Sequence, residues 1–248
     1  MSFFNTFGRA PRAPKRSPTP TSASFPQDGS PASAQTPPSP VMTNTKPLYL
    51  CSPFAEAALV KGNFKTIVML PKYVDVMEWV AVNIFDFYNN LNLFYGIVAE
   101  CCTAQACPAM SAGPSLDYTW IDQNRRQVKL PAPTYIDYVM TWVQNMLDDE
   151  GVFPTKAGRE FSQSFPATAK HIYRQLLRVF AHIYHAHYPQ ILHLRSEPHF
   201  NSLFAHFLAF GKEFDLLEVK DVKGNLQHGA VGVGDLWEKW KDMGILES

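Results

Sequence analysis

The chain has 248 residues, in which 22 lysine and arginine side chains balance 22 aspartate and glutamate side chains. Hydrophobic residues make up 46% and aromatic residues 13%, which is enough for a packed core and excludes a wholly disordered chain. Residues 1–47 hold five basic residues and one acid, which leaves 17 basic and 21 acidic residues in 48–248. A body with a net charge of −4 argues against a broad nucleic-acid surface.

Residues 1–47 predict a disordered, basic tail rich in proline, serine and threonine. Ten of the 20 prolines lie there, and such a segment buries too little apolar surface to offset its ordering entropy. Residues 2–7 are apolar enough for a short docking peptide, or form a frayed terminus. Five Ser-Pro or Thr-Pro pairs are candidate phosphorylation sites, unless they reflect composition alone: Ser17, Thr19, Ser30, Thr36 and Ser39.

Residues 48–218 predict a mainly helical domain. Asp75 followed by Glu78 resembles a capping box, and the apolar residues after it extend a helix through Val98. Three more helices are predicted by apolar residues at three- and four-residue spacing: 135–148, 168–188 and 190–217. Pro189 is expected to end the second of these helices, because proline cannot continue the hydrogen-bond pattern.

Strand signals are few, and the end of the chain changes character. Residues 118–120 and 127–130 bracket the turn-forming residues 122–124 and predict one small hairpin. Residues 219–248 predict a glycine-containing tail. Within it, residues 235–240 are amphipathic and predict a short helix that packs on the body or on a partner.

The expected cellular compartment is inferred from the absence of membrane-span and signal-peptide patterns in the sequence. No apolar run approaches the ~18 residues of a membrane span, so we expect no membrane insertion. The first residues lack the apolar core of a signal peptide, so we do not expect secretion. Four cysteines in a chain of this length do not form a disulfide framework. A reducing cytoplasm or nucleus is therefore predicted, where clustered cysteines more often bind metal.

Cysteines and histidines predict a metal site. Cys102 and Cys107 form a C-x4-C pair, and His182, His185 and His187 cluster far along the chain. Two thiolates with two imidazoles make a closed, structural zinc site. Spacing favours His185 as the second histidine, because it shares a helix face with His182, whereas His187 would lie at the fraying helix end next to Pro189. Buried free cysteines and hydrogen-bonded histidines are the alternative explanation.

An acidic helix face is a candidate docking surface. At about 100° per residue, Asp75, Glu78 and Asp86 form one stripe beside Trp79. Such a stripe suits a basic helix of a partner, although acids also favour the N-terminal part of any solvated helix. Without further information, the stripe leaves both interpretations open.

A basic patch is the second candidate surface. Arg174 and Arg178 are neighbours on a predicted helix, with His171 and Lys170 close by. The patch suits a phosphate group or is ordinary surface charge. The motifs of metalloproteases, serine hydrolases, dinucleotide-binding folds and P-loops are missing from the sequence, so we expect no enzymatic activity.

Four runs together resemble the Mob family of protein-kinase coactivators: residues 59–96, 102–114, 135–156 and 178–188. The resemblance covers about 48–217, and LVKGNFKTIVMLPKYVD with the start SFFNTFGR looks like the fungal Mob-two branch. It implies a helical fold built around a four-helix bundle. It also implies a coactivator of an NDR/LATS-type AGC kinase in polarised growth and cell separation, acting in the cytoplasm, in the nucleus or at growth and division sites.

The resemblance assigns roles to the candidate residues. It implies one structural zinc ion, held by Cys102, Cys107, His182 and His187, with His185 left over. It further implies that the acidic helix engages the basic N-terminal regulatory region of the kinase. The residues at the matching positions are Asp75, Glu78, Trp79 and Asp86.

The resemblance also bears on the basic patch. In the Mob-one branch, a basic trio binds phosphopeptides of an upstream kinase or scaffold. The matching positions here are Arg174, Gln175 and Arg178. Since the central position is not basic, one charge-assisted contact of that mode is missing.

Overall fold

The computed structural model describes residues 46–60, 63–156, 158–223 and 232–246, which are mainly helical as predicted. The predicted disordered tail, with its Ser-Pro and Thr-Pro pairs, lies outside the described residues except for Lys46 and Pro47. Eight α-helices occur in the described residues: α1 (Phe64–Val68), α2 (Val76–Val98), α3 (Ala132–Asp148), α4 (Phe165–His182), α5 (Tyr188–His193), α6 (Glu197–Glu213), α7 (Val219–Lys223) and α8 (Gly234–Asp242).

Helix α2 begins and ends where the sequence predicts. The Asp75 carboxylate accepts hydrogen bonds from the backbone N–H of Met77 at 2.7 Å and of Glu78 at 3.2 Å. These bonds satisfy two of the helix's unpaired donors and fix its start. Because α2 contacts α3, α4, α5 and α6, it forms the centre of the helical domain.

Aromatic rings fill the space between α2, α4 and α6. Phe87 lies edge-on to Tyr173 and Phe207, with ring centroids 5.9 and 5.3 Å away. Tyr173 stacks on Phe207 at 4.1 Å, and its hydroxyl donates to the Phe207 carbonyl. The predicted apolar stripe of α4 is fully buried: Ile172, Leu176 and Val179, with Ile183 just beyond the helix. With α3 packed against α2 and α4, these elements form the predicted bundle.

The predictions for 168–188 and 190–217 are correct in type but wrong at their boundaries. Helix α4 ends at His182, and one π-helical turn, Ile183–His187, joins it to α5. Pro189 does not end a helix but lies in the first turn of α5. Backbone N–H groups in the first turn make no intrahelical hydrogen bond, so a proline without an N–H is tolerated there. A break at residues 194–196, with Arg195 at φ 52°, separates α5 from α6.

The described residues contain two small antiparallel hairpins where the sequence predicts one. The predicted hairpin is present as β3 (Trp120–Ile121) paired with β4 (Gln127–Val128). Tyr118 belongs instead to a separate pair, β1 (Met110–Ser111) with β2 (Asp117–Tyr118). Strands of two residues carry too little alternation to be recognised from sequence, which explains the missed pair.

Helix α8 packs on the start of the folded domain. Two 3₁₀ turns, Leu48–Leu50 and Phe54–Glu56, precede α1. Trp240 of α8 is buried, and its indole N–H donates to the Ala55 carbonyl at 2.8 Å. The predicted amphipathic helix thus packs on the body. Within the described ranges, no helix has both the length and the apolar character to cross a bilayer.

Candidate metal centre and docking faces

Two cysteines and two histidines meet in one buried cluster. The Sγ atom of Cys102 lies 3.5 Å from Nε2 of His182, and the Sγ atom of Cys107 lies 3.5 Å from Nε2 of His187. All four candidate ligand atoms lie within 4.8 Å of one another. The loop after α2 presents the cysteines, and the end of α4 with its π-helical turn presents the histidines. The cluster therefore connects two segments 80 residues apart.

The π-helical turn selects which histidine joins the cluster. An α-helix would place His185 on the same face as His182. In a π turn the backbone hydrogen bonds run from residue i to i+5, so His187 lies above His182 instead. His185 turns away, with its Nε2 atom 2.6 Å from the Gly232 carbonyl and 3.1 Å from the Tyr49 hydroxyl.

Hydrogen bonding fixes the orientation of one imidazole. Nδ1 of His182 lies 2.8 Å from the carbonyl oxygen of Ser111, which can only accept, so Nδ1 carries the proton. Nε2 is then left with a lone pair that points at Cys102. Nδ1 of His187 is buried without a partner among the described residues.

Burial keeps the four groups neutral. It lowers the pKa of His182, and together with the adjacent His182 it lowers the pKa of His187 to about 4. Burial, with Cys107 nearby, raises the pKa of Cys102 to about 12. A bound cation would stabilise the thiolates and neutral imidazoles. The donor set of two sulfurs and two nitrogens, within reach of a common point, could hold a metal ion and matches the ligand preference of zinc.

The predicted acidic stripe lies along the exposed face of α2. Glu78 and Asp86 are exposed, and Asp75 is exposed while capping the helix. Trp79 is partly buried against the core, and its indole N–H donates to the Val68 carbonyl at 3.2 Å. The 23 residues of α2 include no lysine or arginine, so no basic residue of the helix itself offsets its acidic side chains.

Apolar residues on the same face were not predicted. Val82, Phe85 and Leu93 of α2 are 54%, 51% and 70% exposed. Their spacing along the helix places them on the same face as Glu78 and Asp86, so this face is both acidic and apolar. The sequence could have indicated this apolar surface, because α2 contains more apolar residues than one buried helix face can accept.

The predicted basic patch lies beside hairpin β3–β4. Nη1 of Arg178 donates to the Tyr135 hydroxyl at 2.5 Å, and the guanidinium carbon lies 5.0 Å from the centre of the Tyr118 ring. Gln175 is buried and accepts a hydrogen bond from the same tyrosine hydroxyl. Arg174 is exposed at the surface. The two arginines therefore meet at one cleft, while Gln175 forms part of its floor.

This helical domain with a buried two-cysteine, two-histidine cluster places the chain in a known class. Residues 56–225 match the family model of the Mob1/phocein family, and the chain belongs to that family. The match covers more than two thirds of the chain and includes the cluster, the acidic helix and the basic cleft.

Three fungal relatives are similar over most of the folded domain. The chain is 56% identical over 174 residues to the maintenance of ploidy protein mob2 of Schizosaccharomyces pombe, which covers 70% of this chain and 71% of that protein. It is 52% identical to the CBK1 kinase activator protein MOB2 of Candida albicans, over 75% of this chain. The protein of that name from Saccharomyces cerevisiae is 53% identical over 71% of this chain. The chain spans about three fifths of the latter two relatives.

Proposed function

We propose that this chain is a non-enzymatic coactivator of an NDR/LATS-type protein kinase in cell morphogenesis. Two of its relatives are named as activators of the CBK1 kinase, and both are more than half identical to it over the matched region. The chain binds the basic N-terminal regulatory segment of the kinase. Ordering of that segment favours the active kinase, since a partner shifts a conformational equilibrium by its differential affinity.

The exposed face of α2 carries this proposal. It offers Glu78 and Asp86 with no basic residue along the whole helix. A basic segment gains electrostatic attraction there and buries Val82 and Phe85 at the same time. Asp75 adds charge at the helix start, and Trp79 supports the face from behind through its bond to α1.

A structural zinc ion completes the proposal. Cys102, Cys107, His182 and His187 would hold one zinc ion with no position left for water, which suits stability and not catalysis. None of the four cysteines forms a disulfide, which suits a reducing compartment such as the cytoplasm or nucleus.

The test is a calorimetric titration of the full chain with the recombinant N-terminal segment of an NDR-type kinase, in reductant. Charge reversal in a Glu78→Lys, Asp86→Lys double variant is expected to weaken binding at least about ten-fold, because opposing charges become like charges. Affinity should also fall with added salt.

A matched double variant controls for the change in net charge. Glu160 and Glu213 are exposed acids outside α2, so Glu160→Lys with Glu213→Lys should leave binding within about two-fold. Equal weakening in both double variants, with folding intact by circular dichroism, would contradict the α2 face as the kinase site.

A further inference from the structure

The chain around the loop between α1 and α2 exposes a run of apolar side chains. Tyr73 is fully exposed, and Met69 and Leu70 are 60% and 40% exposed. Ile67 and Val76, at the two ends of this segment, are exposed as well. Exposed apolar side chains this close together form a contiguous patch, and such patches mark contact surfaces between proteins.

The backbone holds Tyr73 in a strained turn. The N–H of Val74 donates to the Pro71 carbonyl at 3.3 Å and closes the turn. Tyr73 occupies its third position with φ 67°, a left-handed conformation that glycine or asparagine adopts more easily than a bulky residue. Because the ring is fully exposed, contacts within the described part of the chain do not offset the strain, whereas contacts with a partner would.

A groove of about 260 Å³ lies close to this turn, between α1, α6 and α8. An apolar cavity of about 150 Å³ accommodates a benzene ring, so the groove has room for the ring of a tyrosine. Exposed charged residues also line the groove: Lys65, Lys212 and Glu213. Its buried and partly buried lining is apolar: Phe64, Val68, Ala209, Trp237 and Leu246.

The protruding tyrosine and the groove are neighbours on the surface. Val68 lines the groove, and Tyr73 follows it by five residues, which span at most about 18 Å. Since Tyr73 is fully exposed, it does not fill the groove of its own chain. Two copies related by a two-fold axis can exchange these features, so that each gives one tyrosine and receives one. Such an exchange closes after two copies.

The charges beside the tyrosine are opposite to those around the groove. Two acids outnumber one lysine near the turn, whereas two lysines outnumber one acid at the groove. The two-fold exchange brings the acidic side of one copy to the basic side of the other, which fixes their relative orientation. These residues are Asp75, Glu78 and Lys72 near the turn, and Lys65, Lys212 and Glu213 at the groove.

We propose that the chain forms a weak symmetric dimer in which Tyr73 of each copy packs into the groove between α1, α6 and α8 of the other copy. Met69 and Leu70, which lie between Val68 and Tyr73 in the chain, are placed near the two-fold axis. The contact is small, so the dissociation constant is expected to be about 10–100 µM. The dimer requires neither a kinase nor a bound metal.

Sedimentation velocity of the full chain measures the association over about 1–300 µM. Reductant is present throughout, because the exposed Cys101 could otherwise link two copies through a disulfide. The average mass should rise from monomer to dimer across this range.

Tyr73→Gly removes the ring and relieves the strain of the turn. It should weaken the association at least about ten-fold, while the melting temperature stays unchanged or rises. A loss of folding would instead lower the melting temperature. Tyr138→Ala removes an exposed tyrosine of α3 and is the matched control, which should associate within about two-fold of the unmodified chain.

A mixing experiment tests the exchange of tyrosines. Ala209→Trp fills the groove but keeps Tyr73, whereas Tyr73→Gly keeps the groove but lacks the ring. Neither variant alone forms a tyrosine–groove contact, while a mixed pair forms one of the two. An equimolar mixture should therefore associate at least about three-fold more tightly than either variant alone.

Three outcomes would overturn the proposal. One is a chain that is folded by circular dichroism and stays monomeric up to about 300 µM. Another is unchanged association in Tyr73→Gly. The third is a mixture of the two folded variants that associates no more tightly than either alone. If Ala209→Trp does not fold, the first two outcomes still decide.

Discussion

His182 and His187 are five positions apart in the chain, yet their rings lie 5.2 Å from centroid to centroid. Cys102 and Cys107 are also five positions apart in the chain and lie on the opposite side of the cluster. Each cysteine therefore faces one histidine. This pairing depends on the π-helical turn Ile183–His187. Single π turns within helices are frequent at functional sites.

The first prediction concerns metal content. Purified protein should hold about one equivalent of zinc by elemental analysis, and Cys102→Ser should lose most of it. Loss of the ion should cost about 3 kcal/mol or more of folding stability, since metal binding is coupled to folding. The melting temperature would then fall by roughly 6–12 °C.

Neighbouring residues supply the controls for the metal prediction. Cys101 is exposed next to Cys102, so Cys101→Ser should keep both metal and melting temperature. His185→Gln should also keep the metal, because His185 bonds to Gly232 and Tyr49 outside the cluster. Retention of metal by Cys102→Ser, or its loss from His185→Gln, would refute the ligand set.

The metal ligands show which parts of the site could be predicted from the sequence. The residue types and the C-x4-C spacing are enough to expect a tetrahedral site. Helical periodicity pointed to His185, which is wrong, because one extra residue in a π turn brings His187 to the cluster instead. No local feature of residues 183–187 marks that turn, and the resemblance to the Mob family identified His187 instead.

The second prediction separates the two roles of Asp75. Asp75→Ala removes the N-cap of α2 and should cost about 1 kcal/mol of unfolding free energy. Asp75→Asn keeps the cap, so it should be nearly neutral for stability while it weakens kinase binding through the lost charge. Urea denaturation and calorimetry on both variants distinguish the effects, and equal destabilisation by the two substitutions would argue against the cap.

The third prediction concerns pH. His206 packs against Phe87 at 4.9 Å, and burial lowers its pKa below the ordinary value of 6.5. The unfolded chain therefore binds the proton more readily, so stability is complete above about pH 6.5 and is lost as pH falls. The loss is at most about 1.4 kcal/mol per pH unit.

A phenylalanine variant isolates this effect from the other histidines. His206→Phe keeps an aromatic ring against Phe87 but cannot bind a proton. Its unfolding free energy, measured in urea at pH 7.5 and 5.5, should fall less than that of the unmodified chain. An identical pH dependence in the two proteins would show that His206 does not contribute.

The fourth prediction concerns Trp240. Trp240→Phe keeps much of the buried ring but leaves the Ala55 carbonyl without its donor, which should cost about 1–3 kcal/mol. Trp237→Phe, on the same helix but partly exposed, should cost less than about 1 kcal/mol. Urea denaturation of both variants gives the comparison. A smaller effect at Trp240 than at Trp237 would contradict the role of the bond.

The helices were predictable where one face is buried and the start is marked. Asp75 set the start of α2, and the stripe through Ile172 and Val179 set the core face of α4. Breaks within long helical segments were harder to predict from the sequence. Pro189 fits the first turn of a new helix as well as the end of an old one, and only the packing of α5 decides between them.

The bond between Trp240 and Ala55 also has a consequence during protein synthesis. The two residues are 185 positions apart. At about 5–20 residues per second, the ribosome reaches Trp240 roughly 10–40 s after Ala55. The first turns of the folded domain must therefore wait for the last helix to emerge. Until then the part of their surface that α8 covers stays exposed, and a nascent chain stalled before α8 would offer that surface to chaperones.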